Sequence, residues 1–190
     1  MCSSDLVEVP ANLDPTRRAA RVTLDGAPAA VIAGARRELV DLARLMVAAE
    51  ATGVANECTE QAAAYAKVRV QFGRPIGQFQ AVKHALADAL LALEMARPLV
   101  YAAAWAHVHD AEHAERDVAA SRIRAGEAAG KVARTALQAH GGMGYTQEND
   151  LHLWLKRTWA LQASWGRPGE LRERLAQALD LAPGGIGRNR

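Results

Sequence analysis

Val118-Ala-Ala-Ser-Arg-Ile-Arg-Ala125-Gly126-Glu-Ala-Ala129-Gly130-Lys-Val132-Ala-Arg-Thr-Ala136-Leu-Gln138-Ala-His-Gly141-Gly142-Met-Gly144-Tyr145 contains no proline, and its small apolar residues recur at steps of three and four. Val118, Ala125, Ala129, Val132 and Ala136 fall on one side of a helix predicted over Glu112 to Ala139. Gly126 and Gly130 are one turn apart, where small residues let a neighbouring helix come close. The run ends at Gly141-Gly142-Met-Gly144, where glycine supplies the left-handed position of a helix stop and leaves the backbone open to close approach.

The same period extends in both directions. Leu39, Leu42, Met46, Ala49 and Gly53 form a stripe on a helix predicted from about Arg36 to Lys67. After a loop, Phe79, Val82, Leu86, Leu90 and Leu93 begin a second helix, which Pro98 is expected to kink or interrupt before Tyr101, Trp105 and Val108. A fourth helix is expected over Glu148 to Ser164 and a short fifth over Gly169 to Leu179. Long helices joined by short loops predict an all-α fold, an antiparallel up-down four-helix bundle, over residues 35–182. Residues 1–34 differ. Val7-Glu-Val9 and Arg21-Val-Thr-Leu24 read as short strands broken by Pro10, Pro15, Gly26 and Pro28, a β remnant too small to be a domain. Residues 183–190, rich in glycine, read as a flexible tail.

Composition narrows the function. Half of the 190 residues are hydrophobic but only 5% are aromatic, and 23 basic residues balance 21 acidic ones with the signs interleaved. Nucleic-acid binding therefore has little support, and no apolar run suggests a membrane span. Cys2 and Cys58 are too few for a disulfide framework, and the start lacks a signal-peptide layout, so a cytoplasmic location is expected. His107, His109, Asp110, Glu112 and His113 cluster where the second helix gives way to the third. They read as a solvated turn, and no metal is assigned.

Two segments carry the chemistry: Arg69-Val-Gln71-Phe72-Gly-Arg-Pro75-Ile-Gly-Gln-Phe79-Gln80 and Gln138-Ala-His-Gly141-Gly142-Met-Gly144-Tyr145. Each has an ordinary structural account, Arg69 as a helix-end cation, Phe72 as a loop anchor and the glycines as a cap. They also supply what a dinucleotide needs, a cation, backbone N–H groups and a flat apolar surface. The glycine turn does not match G-x-G-x-x-G and follows no strand, so it is not a Rossmann motif.

In order, Tyr65-Ala-x-x-Arg69-x-Gln71-Phe72-Gly73-x-Pro75-Ile76-x-x-Phe79-Gln80, Leu86-Ala87-Asp88 and Gln138-x-x-Gly141-Gly142-x-Gly144-Tyr145 resemble the C-terminal helical domain of the acyl-CoA dehydrogenases, over about Arg36 to Gly166. Residues 7–34 resemble the last strands of that family's middle β domain, and family members are considerably longer, so the resemblance implies a truncated member. It implies FAD as cofactor. Arg69 would bind the pyrophosphate, Phe72 would pack near adenosine, Gln71 and Gln80 would add polar contacts, and Gln138, Gly141 and Gly142 would offer amide and backbone hydrogen bonds. These contacts reach a flavin held mainly by a facing subunit, so a homo- or hetero-oligomer is implied. An acyl-CoA is the implied substrate, with Arg44 near the thioester and Asp41 near the CoA channel; the alternative for both is a solvated helix charge.

The family's glutamate base is missing. Aligned without gaps, Gly166 occupies its usual position and Ala43 the alternative one, and no Asp or Glu lies between Asp150 and Glu170. A base must be a positioned carboxylate of raised pKa, so no catalytic residue is assigned. Three readings stay open: a dehydrogenase with an unusual base, for which Glu170 is the nearest carboxylate; a non-catalytic partner subunit of a heteromeric dehydrogenase; and a cofactor-free helical interaction module.

Overall fold

The computed structural model of the chain describes residues 6–8, 11–17, 19–179 and 181. The tail expected over residues 183–190 lies outside them, as do Cys2, Val9 and Pro10. The order of elements is β1 (Leu6–Glu8), β2 (Arg21–Thr23), α1 (Ala35–Val68), β3 (Val70–Gln71), β4 (Arg74–Pro75), α2 (Gln80–Val108), α3 (Ala114–His140), α4 (Leu151–Ala163) and α5 (Pro168–Ala178). The fold is the predicted helical bundle. Strands β1 and β2 pair antiparallel with Val7 opposite Val22.

Helix α3 is the central element and packs against α1, α2, α4 and α5. It is buried on most of its circumference, from Val118 and Ala119 through Ala133 and Ala136, which is why it consists so largely of Ala and Gly. Gly126 and Gly130 do admit a neighbour. Gln162 of α4 donates its amide N–H to the Gly126 carbonyl at 2.8 Å, and a Cβ at Gly130 would lie 2.5 Å from Gln162 Nε2. The core is correspondingly fine-grained: Ala48, Ala51, Ala55 and Ala62 of α1, Ala89 and Leu93 of α2, and Leu151 and Leu161 of α4 meet the small face of α3. Methyl groups this small stabilise by close approach of backbones and many weak contacts.

Two expectations need correction. The stripe assigned to the core of α1 is outside it: Leu39 is 61% exposed and Met46 64%, while Asp41, Arg44, Ala48, Ala51, Ala55 and Cys58 face inward. Alanine makes several faces of one helix plausible, and larger apolar residues were wrongly preferred over small ones. Pro98 does not interrupt α2, which runs through from Gln80 to Val108. The proline is exposed, on the side where solvent can take the carbonyl its missing N–H leaves free. Helix α2 is also long and apolar enough, by length and composition, to cross a membrane, and it contributes its buried face to the bundle.

Candidate functional site

The link from α1 to α2 is a tight hairpin. Val70 pairs with Pro75 and Gln71 with Arg74, leaving Phe72 and Gly73 as a two-residue turn with φ of 53° and 78°. Paired positive φ values are those of a type I′ turn, which Gly adopts freely and Phe at a cost. The turn holds Phe72 at 92% exposure, edge-on to Phe79 with ring centroids 6.1 Å apart, and the Arg74 guanidinium lies 4.2 Å above the Phe79 ring. Phe72 is therefore not the loop anchor of the ordinary account. Arg69 caps α1 through its N–H to the Tyr65 carbonyl at 2.9 Å, and its exposed guanidinium has no ion-pair partner among the described residues.

Two grooves open at this end of the bundle. The first, about 470 Å³, is lined by Tyr65, Arg69, Gln71, His140, Gly141 and Gly142 among others. His140 stacks on Tyr65 with centroids 4.3 Å apart. Its Nδ1 lies 2.8 Å from the Ala136 carbonyl, which can only accept, so that nitrogen carries the proton. Among the described residues nothing occupies the space where a Cβ would stand on Gly141 or Gly142, so this backbone is approachable. The second groove, about 570 Å³, runs between the hairpin, α2 and α3; Gln71, Phe72, Phe79, Leu86 and Gln138 line it. The grooves share Gln71, Ile76 and Ala139. The structure thus brings together Arg69, Gln71, Phe72, Gln138, Gly141 and Gly142. Gln80, the exposed first residue of α2, lines neither.

Arg44 and Asp41 are not solvated helix charges. Their side chains are nearly buried and paired at 3.0 Å, and Arg44 Nε donates to the Trp165 carbonyl at 3.1 Å. Both line a third groove of about 650 Å³ with Ile32, Trp165, Gly166 and Glu170. Gly166 has a φ of 123°, and a Cβ there would stand 3.2 Å from Leu171 Cδ2. Glu170 Oε2 accepts the Arg167 N–H at 3.2 Å, capping α5. Ala43 is half-buried on α1. Two of the three histidines near the turn between α2 and α3 are engaged locally: His109 stacks on Trp105 and its Nδ1–H meets the Trp105 carbonyl, and His113 lies 3.4 Å from Asp117.

Sequence reasoning missed two buried arrangements. Arg122 donates through Nη2 to the carbonyls of Leu161 at 2.5 Å and Ser164 at 2.9 Å, at the end of α4, and its Nε has no hydrogen-bond partner among the described residues. Burial, and then the charge of Arg44, lower its pKa. A signal existed, because Arg122 is four residues after Val118 and three before Ala125, inside the buried stripe. The second arrangement is Arg157, which pairs with Asp14 at 2.5 Å and also holds Glu50 and the Thr16 hydroxyl, joining residues 14–16 to α1 and α4.

Residues 34–179 match the model of the acyl-CoA dehydrogenase C-terminal domain. The chain belongs to the acyl-CoA dehydrogenase family. It is 40% identical over 176 residues to acyl-CoA dehydrogenase IpdE2 of Mycobacterium tuberculosis, covering 91% of this chain and 52% of that protein. The chain spans about half the length of such curated relatives. Among solved structures, the ChsE4-ChsE5 complex of Mycobacterium tuberculosis superposes with a TM-score of 0.87 at 27% identity, over 96% of this chain and 50% of that one. PigA with FAD and proline superposes with a TM-score of 0.72 at 32% identity, over 76% of this chain and 37% of that one.

Proposed function

We propose that this chain is the helical part of a flavin-dependent acyl-CoA dehydrogenase, and that the bundle end carrying Arg69 grips the diphosphate and adenosine of FAD for an active site centred on a facing subunit. The observation behind this is one groove onto which an unpaired guanidinium and an open double-glycine backbone both face. The residues present fit the group. Arg69 would pair with the diphosphate, the N–H groups of Gly141 and Gly142 would donate to it, and Phe72, Gln71 and Gln138 would border the adenosine in the adjoining groove. Gln80 remains proposed as an outer polar contact. PigA, a structural relative, has been solved with FAD and proline.

Distance supports a shared site. Arg44 on α1 and Arg69 at its C-terminal cap are twenty-five residues apart, about 37 Å at 1.5 Å per residue. That exceeds the reach of one extended dinucleotide. A flavin nucleotide held at Arg69 would therefore serve chemistry in another chain, while the groove at Arg44, Asp41 and Gly166 would face an acyl thioester. Bound there, FAD would supply the acceptor for a hydride from the substrate β-carbon, and a base would have to take the α-proton.

A second reading concerns the base. With Gly166 and Ala43 at its usual positions, and Glu170 engaged as a helix cap, this chain offers no free carboxylate there. We infer a non-catalytic partner role, completing the FAD site of a base-carrying companion; the similarity to a chain of a two-protein complex supports it. The test is to express the whole gene alone and with its genomic neighbour, then assay acyl-CoA oxidation with an artificial electron acceptor. Turnover only in the co-expressed sample is expected, and robust turnover by the lone protein eliminates the partner role. In the same samples Arg69→Ala should release flavin, weakening FAD binding roughly tenfold or more. Undiminished flavin in that variant removes the cofactor reading, and no flavin in any assembly favours an interaction module.

A further inference from the structure

The loop from α4 to α5 is held from inside the bundle by two buried arginines. Ser164 caps the end of α4, and Trp165 and Gly166 follow with φ of 56° and 123°. Positive φ is easy for Gly and costly for a residue as bulky as Trp, so the bend needs external support. The Ser164 carbonyl accepts from Arg122 Nη2 of α3 at 2.9 Å. The next carbonyl, of Trp165, accepts from Arg44 Nε of α1 at 3.1 Å. The same Arg122 nitrogen reaches the carbonyls of Leu161 at 2.5 Å and Gln162 at 3.3 Å, so it grips the last turn of α4 as well. Gly126 makes room for it, because a Cβ there would stand 2.9 Å from Arg122 Nη1.

Two successive carbonyls turned inward decide what the other side of the loop presents. In a trans peptide the N–H points away from the C=O, so the N–H groups of Trp165 and Gly166 point away from the guanidiniums. Neither has a hydrogen-bond acceptor among the described residues. Trp165 and Gly166 line the groove they share with Arg44 and Asp41, and Arg122 does not. Arg122 therefore acts on anything in that groove only through the loop. Charge works in the same direction. Asp41 answers Arg44 at 3.0 Å, whereas Arg122 meets carbonyls and no carboxylate among the described residues. Peptide dipoles aligned on a buried cation keep their N–H ends outward without needing to reorganise.

We propose that Arg122 is a positioning residue for the thioester groove: from the core it fixes the Ser164–Gly166 bend, and through that bend it sets how tightly the groove takes an acyl thioester. This rests on the proposed function, which puts the thioester beside Arg44, Asp41 and Gly166. Arg44 pins one carbonyl of the bend from within the groove, and Arg122 pins the other from behind it.

The test titrates acetyl-CoA and free CoA by calorimetry into the full chain in its purified assembly. Acetyl-CoA has a thioester carbonyl but no β-carbon to oxidise, so binding is read without turnover. Wild type, Arg122→Met, Arg122→Lys and Arg44→Gln are compared with Leu93→Ala, a core truncation on α2, outside the two helices that hold the loop. Wild type is expected to prefer acetyl-CoA. Arg122→Met should bind it roughly tenfold more weakly with CoA affinity unchanged, and Arg122→Lys, which keeps a charged donor, should recover most of the loss. Leu93→Ala should bind both as wild type does, although its urea midpoint also falls. If Arg122→Met keeps the preference while Arg44→Gln loses it, the positioning role is overturned and the groove reading stands. If Arg122→Met and Leu93→Ala lose the preference alike, Arg122 serves stability only and the proposal is overturned. If wild type binds acetyl-CoA no tighter than CoA, the groove reading falls and takes the proposal with it. Should Arg122→Met fail to fold, Gly126→Ala displaces the guanidinium by its methyl and should weaken acetyl-CoA binding in the same sense; wild-type preference in that variant overturns the proposal.

Discussion

Arg122 sits in the stripe by which α3 faces its neighbours, and carbonyls stabilise it there instead of a carboxylate. Its guanidinium caps the last turn of α4 from inside the bundle, where helix C-termini leave carbonyls unsatisfied. Arg122→Met would strand those carbonyls in a dry site. It should cost about 3 kcal/mol, read as a lower urea midpoint at unchanged slope. A midpoint within error of wild type would show that the charge is not needed. Asp14 tells a related story for pH. Burial alone would raise its carboxyl, but the Thr16 hydroxyl and amide and the Arg157 guanidinium outweigh burial and hold it below its ordinary 3.8. A depressed folded pKa stabilises above the unfolded value and loses that effect as pH falls through the folded one. The stability gap between wild type and Asp14→Asn should therefore be full near pH 7 and close below about pH 4. A gap that does not change with pH would assign the effect to packing. The burial of Arg122 was legible in its place on the stripe but its carbonyl partners were not, and the Asp14–Arg157 pair was not legible at all, because it spans 143 positions.

Among the elements, period was the reliable signal and face was not. All five helices were expected, and each end lies within a few residues of its predicted place, because turns and caps are local. The inward face of α1 is a collective choice made by α2 and α3, and an alanine-rich helix leaves it open. The hairpin between α1 and α2 is similar: its residues were singled out for chemistry, yet the type I′ turn that projects Phe72 was not foreseen. The glycines of the bundle separate propensity from packing. Gly53 lies in a helix with nothing near its missing Cβ, so Gly53→Ala should stabilise by about 0.5–1 kcal/mol. Gly130→Ala gains the same propensity, but its methyl would displace the Gln162 amide from the Gly126 carbonyl. About 1 kcal/mol for that hydrogen bond cancels the gain. Adding Gln162→Ala to each glycine variant should uncover it: the step from Gly130 to Ala becomes favourable once Gln162 is gone. An equal gain from both single variants in thermal melts would show that α3 and α4 do not need the close approach.

At the scale of the whole molecule, the surface is less polar than the balanced composition suggested. Leu39 and Met46 of α1 and Leu91, Met95 and Trp105 of α2 are all more than half exposed, and contiguous apolar surface of this kind marks an interface. The two faces differ in what can cover them. The α1 face, with Leu39 and Met46, lies beside the groove of Arg44 and Gly166. The α2 face runs along one side of a 29-residue helix, with Leu91, Met95 and Trp105 at helical spacing, and a copy of the same row is complementary to it. Two-fold pairing of like surfaces is the commonest route to a soluble oligomer. The chain should therefore elute above its 20.3 kDa in gel filtration. Met95→Glu/Trp105→Glu should bring it to the monomer position with its helical circular dichroism intact, because both side chains point away from the core. If the double variant elutes with wild type, the α2 row does not hold copies together, and the apolar face of α1 becomes the surface to alter next.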